Sequence, residues 1–180
     1  MTNEQESDAA AGWRLASASD IPFVYELVTR VDPRWWRFSK GGLEPAHVLA
    51  STQAIAAGVI VYNGGLQPVA CAILTDAGTS GTGTLEYFAL PDESAQALAR
   101  AFAPAIVNAA FKGATIRRLY HERFEGDPQI LGEMADLFEV EVTYPRFALV
   151  GGTLETRTIS VLSRERLDAW NAQTLEAMAP

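Results

Sequence analysis

The alternation of apolar and polar positions predicts seven strands and five helices along this chain. The strands are predicted at residues 13–16, 58–62, 67–74, 85–90, 116–121, 140–150 and 156–162. The helices are predicted from Ser19-Asp20 to just before Pro33, over 44–57, over 92–111 with a kink or break at Pro104, from Asp127-Pro128 onward, and from Ser163. The clearest local signal is Asn63-Gly64 between two apolar runs, which is typical of a β-hairpin.

This order of elements predicts an α/β fold with a mixed sheet. Hairpins place strands antiparallel, and each helical crossover adds a parallel neighbour. We expect six to seven strands flanked by helices, in one domain over residues 13–180 that follows a disordered tail at 1–12.

Charge and composition narrow the class of protein. The chain has 22 acidic and 14 basic residues and a net charge of −8, which argues against a general nucleic-acid binder, although tRNA stays open. The single cysteine, Cys71, lies in the apolar run 69–74 and is expected to be a buried structural thiol. No apolar run approaches the ~20 residues of a membrane span, and no leader peptide is recognisable, so we expect a cytoplasmic protein. For the oligomeric state, we expect either a monomer or a homodimer.

Metal-ligand spacings and nucleotide-binding loops are not recognisable in the sequence. Two histidines and one cysteine without paired spacing provide no zinc site, and no P-loop or dinucleotide fingerprint occurs. We therefore expect no metal.

The junction after the fourth strand carries the most specific pattern. An apolar strand ends at Leu90 and is followed by the turn Pro91-Asp92-Glu93 and an alanine-rich helix. This junction and the order of elements over roughly residues 13–165 resemble the GNAT superfamily of acyl-CoA-dependent N-acyltransferases. In the motif of that family, Ser94 stands where Arg or Gln is usual, Ala97 stands in the first Gly place, and Ala99 fits. The end of the chain, residues 146–165, resembles the last two strands of many such enzymes.

The resemblance implies a transferase that takes an acyl group from acetyl-CoA or another acyl-CoA. It implies that the strands 85–90 and 116–121 splay apart, and that backbone groups of Phe88, Ala89 and Leu90 pair with the pantetheine arm. The helix N-terminus would hold the pyrophosphate through its unpaired N–H groups. The residues implied there are Ser94, Ala95, Gln96, Ala97, Leu98 and Ala99. Because the arginine is missing at Ser94, two alternatives stay open: a carrier-protein thioester or aminoacyl-tRNA as donor, and a non-catalytic ligand-binding domain.

Three polar residues near this junction are candidates for proton transfer. Glu86 interrupts an apolar strand and is the leading general base, either turned into a cleft or solvated at an edge. Tyr120 and His121 end the neighbouring strand and are candidates for relaying a proton, His121 because its usual pKa lies near neutrality.

The acceptor is expected to be the amine of a small molecule. The segment Pro33-Arg-Trp-Trp-Arg-Phe38 interleaves aromatic and basic residues. Trp35, Trp36 and Phe38 form either a plug for the core or a wall of the acceptor pocket, and the sequence favours neither interpretation.

Overall fold

Seven strands form a single mixed sheet with helices on both faces. The computed structural model describes residues 10–30, 57–77, 80–113, 115–150 and 153–177. The strands are β1 (Gly12–Leu15), β2 (Ala57–Tyr62), β3 (Pro68–Thr75), β4 (Thr82–Ala89), β5 (Arg118–Phe124), β6 (Glu139–Val150) and β7 (Thr153–Ser163). The α-helices are α1 (Ile21–Arg30), α2 (Glu93–Gly113) and α3 (Arg164–Ala177).

The strands follow the spatial order β1-β2-β3-β4-β5-β7-β6. Every neighbouring pair is antiparallel except β4 and β5, which are parallel and are connected through α2. The predicted mixed sheet is thereby confirmed. The single parallel pair lies at the centre, so a disturbance there reaches both halves of the sheet.

The sheet buries an apolar layer on each face. Leu85, Tyr87 and Ala89 point towards α2, and the Tyr87 hydroxyl donates to the carbonyl of Ala99 at 2.7 Å. We call this side the α2 face; α3 contributes the buried Leu167 to its core. The opposite side, the α1 face, carries Phe88 among its core residues.

Cys71 also belongs to the α1 face, as a core residue of β3. Its side chain is 1% exposed, and burial raises the pKa of its thiol to about 12. The prediction of a buried structural thiol is confirmed.

Asp20 fixes the beginning of α1. Its carboxylate accepts hydrogen bonds from the Arg14 guanidinium at 2.5 and 2.8 Å and from the Ser17 amide at 2.7 Å. These bonds, the one from Arg14 above all, lower the pKa of Asp20 to about 2. The ion pair thus ties the residue before α1 to β1, while the apolar side chains of the helix pack against β2, β3 and β4.

The predicted helix after Asp127 is wrong. The chain instead makes turns and then a 3-10 helix, Gly132–Leu137. Asp127 closes the first turn by accepting the Phe124 amide at 2.6 Å, and Gly132 has φ +55°, which a continuous α-helix does not allow. The apolar residues that suggested the helix are nevertheless buried in the core: Ile130, Leu131, Met134 and Phe138.

The alternative of a helix break at Pro104 is also wrong, because α2 continues through it to Gly113. The predicted helix at 44–57 lies outside the described residues, apart from Ala57, which begins β2. Of the predicted tail, residues 1–9 are likewise outside, and Gly12 already belongs to β1.

Candidate active site

The parallel strands β4 and β5 part halfway along their length. They pair from Thr82–Arg118 to Leu85–His121, whereas β4 stays paired with β3 as far as Ala89. The second half of β4 therefore keeps one neighbour and opens a cleft on the side of β5. The cavity there has a volume of about 320 Å³, within the range of small-ligand sites.

The backbone of β4 divides its hydrogen-bonding groups between the sheet and this cleft. The amide of Leu90 donates to the carbonyl of Val69 at 2.9 Å, so the constant register makes Phe88 a hydrogen-bonded partner of β3 as well. Alternate residues of a strand point their backbone groups to opposite neighbours. Tyr87 and Ala89 therefore direct their N–H and C=O groups into the cleft. Of the three residues implied by the family resemblance, Ala89 is the one whose backbone groups face the cleft.

Glu86 lies in the wall of the cleft and is 4% exposed. It shares the α1 face with Ile73 and Phe88. Because Leu85 pairs with His121, the next residues, Glu86 and Glu122, lie on one face of the two diverging strands. Glu86 is therefore turned into the cleft and is not solvated at an edge of the sheet.

Glu122 also lines the cleft and forms an ion pair with Arg157 of β7. The Arg157 guanidinium stacks at 4.8 Å over the ring of Phe147, which packs against Phe124 and Tyr144. The Glu122 carboxylate is thus balanced by a nearby positive charge. The same ion pair joins β5 to β7 beside the opening.

His121 lies at the point where the strands part. Its Nδ1 is 3.1 Å from the carbonyl oxygen of Leu85, and its ring meets that of Phe138 edge-on with centroids 5.9 Å apart. Burial, together with the positive charge of Arg123, lowers the pKa of His121 below its usual range. A neutral imidazole that donates from Nδ1 keeps the lone pair on Nε2, and the residue lines the cleft.

Tyr120 lies differently from its neighbour. It is opposite Thr84 in the paired part of the two strands, and the Arg118 guanidinium is 5.7 Å from its ring. It is not one of the cleft-lining residues. Of the three sequence candidates for proton transfer, Glu86 and His121 are the two that line the cleft, and they do so from opposite faces of the sheet, because His121 shares the face of its partner Leu85.

The N-terminus of α2 is capped by its own sequence. The Asp92 carboxylate accepts the amide of Ala95 at 2.9 Å and the hydroxyl of Ser94 at 2.6 Å, which lowers the pKa of Asp92. The Gln96 amide donates to the Asp92 carbonyl at 3.1 Å, and the later amides belong to the helix itself. Ala95 and Ala99 turn their methyl groups into the core, Leu98 packs against it, and Ala97 is exposed. None of these residues lines the cleft.

Several cleft residues carried no recognisable signal in the sequence. They come from the turns that replaced the predicted helix and from β7, which reaches β5 through an antiparallel pairing. Ser160 pairs with His121, a contact between residues 39 positions apart that periodicity does not reveal. The further lining residues are Arg123, Asp127, Pro128, Gln129, Ile130, Leu131, Ala135, Asp136, Phe138 and Val140.

Comparison with known proteins shows that solved structures share this architecture. No protein-family profile matches the chain, and no curated protein matches it significantly in sequence. Among solved structures, a protein assigned as a phosphinothricin N-acetyltransferase is similar with a TM-score of 0.69 and 12% identity, over 86% of this chain and 98% of that one. A variant of the spermidine N-acetyltransferase SpeG from Vibrio cholerae is similar with a TM-score of 0.70 and 10% identity, over 87% of this chain and 95% of that one.

The chain has the GNAT fold. The seven-stranded mixed sheet, the helices on its faces and the parting of β4 from β5 agree with the predicted architecture. At these identities the similarity concerns the fold, and the chemistry has to be argued from the cleft. Within the described ranges, the chain has no cluster of three or more His, Cys, Asp or Glu placed for a metal, and no helix suited to crossing a membrane.

Proposed function

We propose that this protein is an N-acyltransferase that moves an acyl group from a pantetheine thioester, such as acetyl-CoA, to the amine of a small molecule. The observation that carries the proposal is the cleft between β4 and β5. There the backbone groups of Tyr87 and Ala89 face a cavity of about 320 Å³ whose wall contains the buried carboxylate of Glu86.

The two backbone positions suit an extended amide-containing arm. Tyr87 and Ala89 present N–H and C=O groups at the spacing of a strand edge, and an arm with two amides can pair with them as an additional strand. The arm would lie in the place that the second half of β5 leaves open. Its thioester would then reach the vertex of the cleft, near Glu86 and His121.

The reaction needs one proton acceptor and one proton donor. The amine nitrogen attacks the thioester carbonyl, the C–N bond forms, the C–S bond breaks, and the sulfur leaves as a thiol after it gains a proton. We assign the acceptance of the amine proton to Glu86, whose carboxyl group then supplies the proton that the departing sulfur gains, and we assign the role of a second proton acceptor to Nε2 of His121. Tyr120 remains a candidate relay, one residue before the point where the strands part.

The acceptor is proposed to be a cationic amine. Among the described residues that line the cleft, four carry carboxylates and one is an arginine, and the chain as a whole has a net charge of −8, which attracts cations over long range. A polyamine such as spermidine, which is acted on by one of the structurally similar proteins, is therefore the first acceptor to test. Trp35, Trp36 and Phe38 lie outside the described residues, and their contribution to the acceptor pocket stays a prediction.

The experiment is an acyl-transfer assay with acetyl-CoA and a panel of amines that includes spermidine. Thiol release is followed with a chromogenic thiol reagent, and the acetylated amine is identified by mass. The buried Cys71 does not interfere with the reagent in the folded protein. We expect an acetylated amine, together with a donor-induced stabilisation of ~2.7 kcal/mol at ~100 times the dissociation constant. No product with any amine, and no stabilisation by any thioester, would refute the proposal.

A further inference from the structure

The entrance of the cleft ends at a helix that carries negative charge where a CoA donor carries its pyrophosphate. β4 ends at Ala89, the turn follows, and α2 begins at Glu93. An arm paired with Tyr87 and Ala89 continues along this line, so whatever is attached to its far end comes close to Asp92 and Glu93. The charge of these two residues decides which attachments are tolerated.

Asp92 occupies two hydrogen-bond donors at this helix end, one amide and one hydroxyl, that an anion could otherwise use. Its carboxylate already accepts the amide of Ala95 and the hydroxyl of Ser94, and its carbonyl accepts the amide of Gln96. A phosphate arriving there would have to displace a charged carboxylate from its own helix cap. The same donors cannot serve both groups, because a helix end offers few unpaired amides.

Glu93 adds a second carboxylate beside the first. Its side chain is 81% exposed and pairs with Arg100, two turns along the helix. The arginine of α2 itself, Arg100, is therefore engaged by a carboxylate of the same helix. Since a pyrophosphate carries more than one negative charge, and Asp92, Glu93 and Arg100 together leave a net negative charge at its approach, its binding there is disfavoured.

We propose that this protein recognises its donor through the pantetheine arm alone, and that the 3′-phospho-ADP part of CoA contributes no binding. An acyl-pantetheine thioester without that part, free or attached to a carrier protein, then serves as donor as well as the CoA thioester does. The inference rests on the proposed function, since it needs an arm in the cleft between β4 and β5. The reaction itself is unchanged: the thioester C–S bond breaks, the amide C–N bond forms, and the thiol of the arm is released.

The test compares three probes for binding to the full-length protein by calorimetry: acetyl-CoA, S-acetylpantetheine and 3′-phosphoadenosine 5′-diphosphate. We expect dissociation constants for the two thioesters within about three-fold of each other, and no binding of the nucleotide fragment at millimolar concentration. Acetyl-CoA binding at least about thirty-fold more tightly than S-acetylpantetheine, or measurable binding of the fragment, overturns the inference and leaves the proposed function standing. Binding of neither thioester overturns the proposed function and the inference together.

A pair of double variants tests whether the carboxylates of Asp92 and Glu93 are the cause of this donor preference. Asp92→Asn with Glu93→Gln removes both carboxylates, while asparagine preserves the helix cap. We expect acetyl-CoA to bind about three- to ten-fold more tightly and S-acetylpantetheine to bind as before. The control, Asp168→Asn with Glu176→Gln on α3, removes the same charge from exposed positions and changes neither affinity. If Asp92→Asn with Glu93→Gln fails to strengthen acetyl-CoA binding selectively, the carboxylates do not govern donor choice and the inference is wrong.

If the inference holds, a further measurement shows whether the preferred donor is a pantetheine arm attached to a carrier protein or a free pantetheine thioester. Transfer rates from an acyl-phosphopantetheinyl carrier protein and from S-acetylpantetheine, measured at equal concentration, distinguish them. A carrier that exceeds the free thioester by more than about ten-fold identifies the protein-bound arm as the donor. Equal rates identify the arm itself, whatever carries it. Transfer from acetyl-CoA alone, with neither of the other two, refutes the inference.

Discussion

The Nδ1 atom of His121 lies 3.1 Å from the carbonyl oxygen of Leu85, at the last pair of residues that joins β4 to β5. A carbonyl oxygen only accepts hydrogen bonds, so Nδ1 must carry the hydrogen. Because burial also lowers the pKa of His121, the ring is neutral near pH 7 and its lone pair is on Nε2. One side chain thus ties the two strands together at the vertex and presents a proton acceptor beside it.

The two roles of His121 can be separated by substitution. In His121→Asn the side-chain amide takes the place of Nδ1 and keeps the bond to Leu85, but no group replaces Nε2. We expect its stability to stay within about 0.5 kcal/mol and its donor KM within about three-fold, while kcat falls about 100-fold. His121→Leu should lose kcat and raise the donor KM as well. Steady-state kinetics and urea unfolding check both, and an unchanged kcat in His121→Asn would limit the residue to joining the strands.

Glu86 can be tested with a change that keeps its size. Glu86→Gln removes the proton acceptor from the cleft wall, and we expect kcat to fall about 100- to 1,000-fold with little change in KM. The melting temperature is measured alongside, so that a loss of turnover is distinguished from a loss of folding. Glu133→Gln, at an exposed position of the 3-10 helix, is the matched control and should retain full activity. Equal turnover of the Glu86→Gln and control proteins would exclude Glu86 as the base.

The ion pair of Asp20 with Arg14 predicts how stability depends on acid. The folded-state pKa of Asp20 is about 2, below its usual value of 3.8, so the folded state binds fewer protons than the unfolded chain in this range. The stabilisation, about 2 kcal/mol from a shift of this size, is fully present above pH 3.8 and is lost as the pH falls through 2. Asp20→Asn should therefore lower the free energy of unfolding at pH 7 by about this amount and flatten its acid dependence.

Urea unfolding between pH 7 and pH 2 measures this dependence. Asp168→Asn, at an exposed position of α3, serves as the control and should follow the unsubstituted protein. If Asp20→Asn loses stability with acid as steeply as the unsubstituted protein, the ion pair is not the cause.

Gly132 should not tolerate a side chain. Its φ of +55° disfavours alanine, and an added Cβ would lie 3.4 Å from Cβ and 3.5 Å from the carbonyl oxygen of Arg100. We expect Gly132→Ala to lower the free energy of unfolding by about 1–2 kcal/mol. Gly65→Ala, at an exposed turn position without a positive φ, is the control and should cost less than half as much. Thermal or urea denaturation measures both, and equal costs would show that the backbone conformation of Gly132 is not limiting.

The order of strands could be predicted because it rests on local signals. The Asn63-Gly64 signal correctly predicted a hairpin of β2 and β3, joined by a turn in which the Leu66 amide donates to the Asn63 carbonyl, and the long helix α2 implied a parallel return to the sheet. The segment after Asp127 shows the limit of such signals. Its spacing of apolar residues correctly predicted that Leu131 and Met134 are buried, but the backbone follows from the packing of Gly132 against α2. Periodicity reports which side chains are buried and leaves more than one backbone path open.

In the site, too, some features follow from the local sequence and others depend on contacts between distant segments. Glu86 was recognisable as an acidic residue in an apolar strand, but both faces of this sheet are buried, so alternation alone did not decide where it points. That required the register of β4 against β5. The self-capping of α2 was only half visible, since Asp92 was evident in the turn while its bond to the Ala95 amide depends on three-dimensional geometry.

Cys71 gives this protein a built-in reporter. It is the single cysteine of the chain, it lies in the middle of β3, and its thiol is shielded in the folded state. Its side chain lies in the α1 face, so a thiol-alkylating reagent can modify it only when that face opens, and the labelling rate measures how often this happens. A molecule that binds beside β4 should slow that rate in proportion to its occupancy, which makes the unaltered protein its own assay for candidate donors.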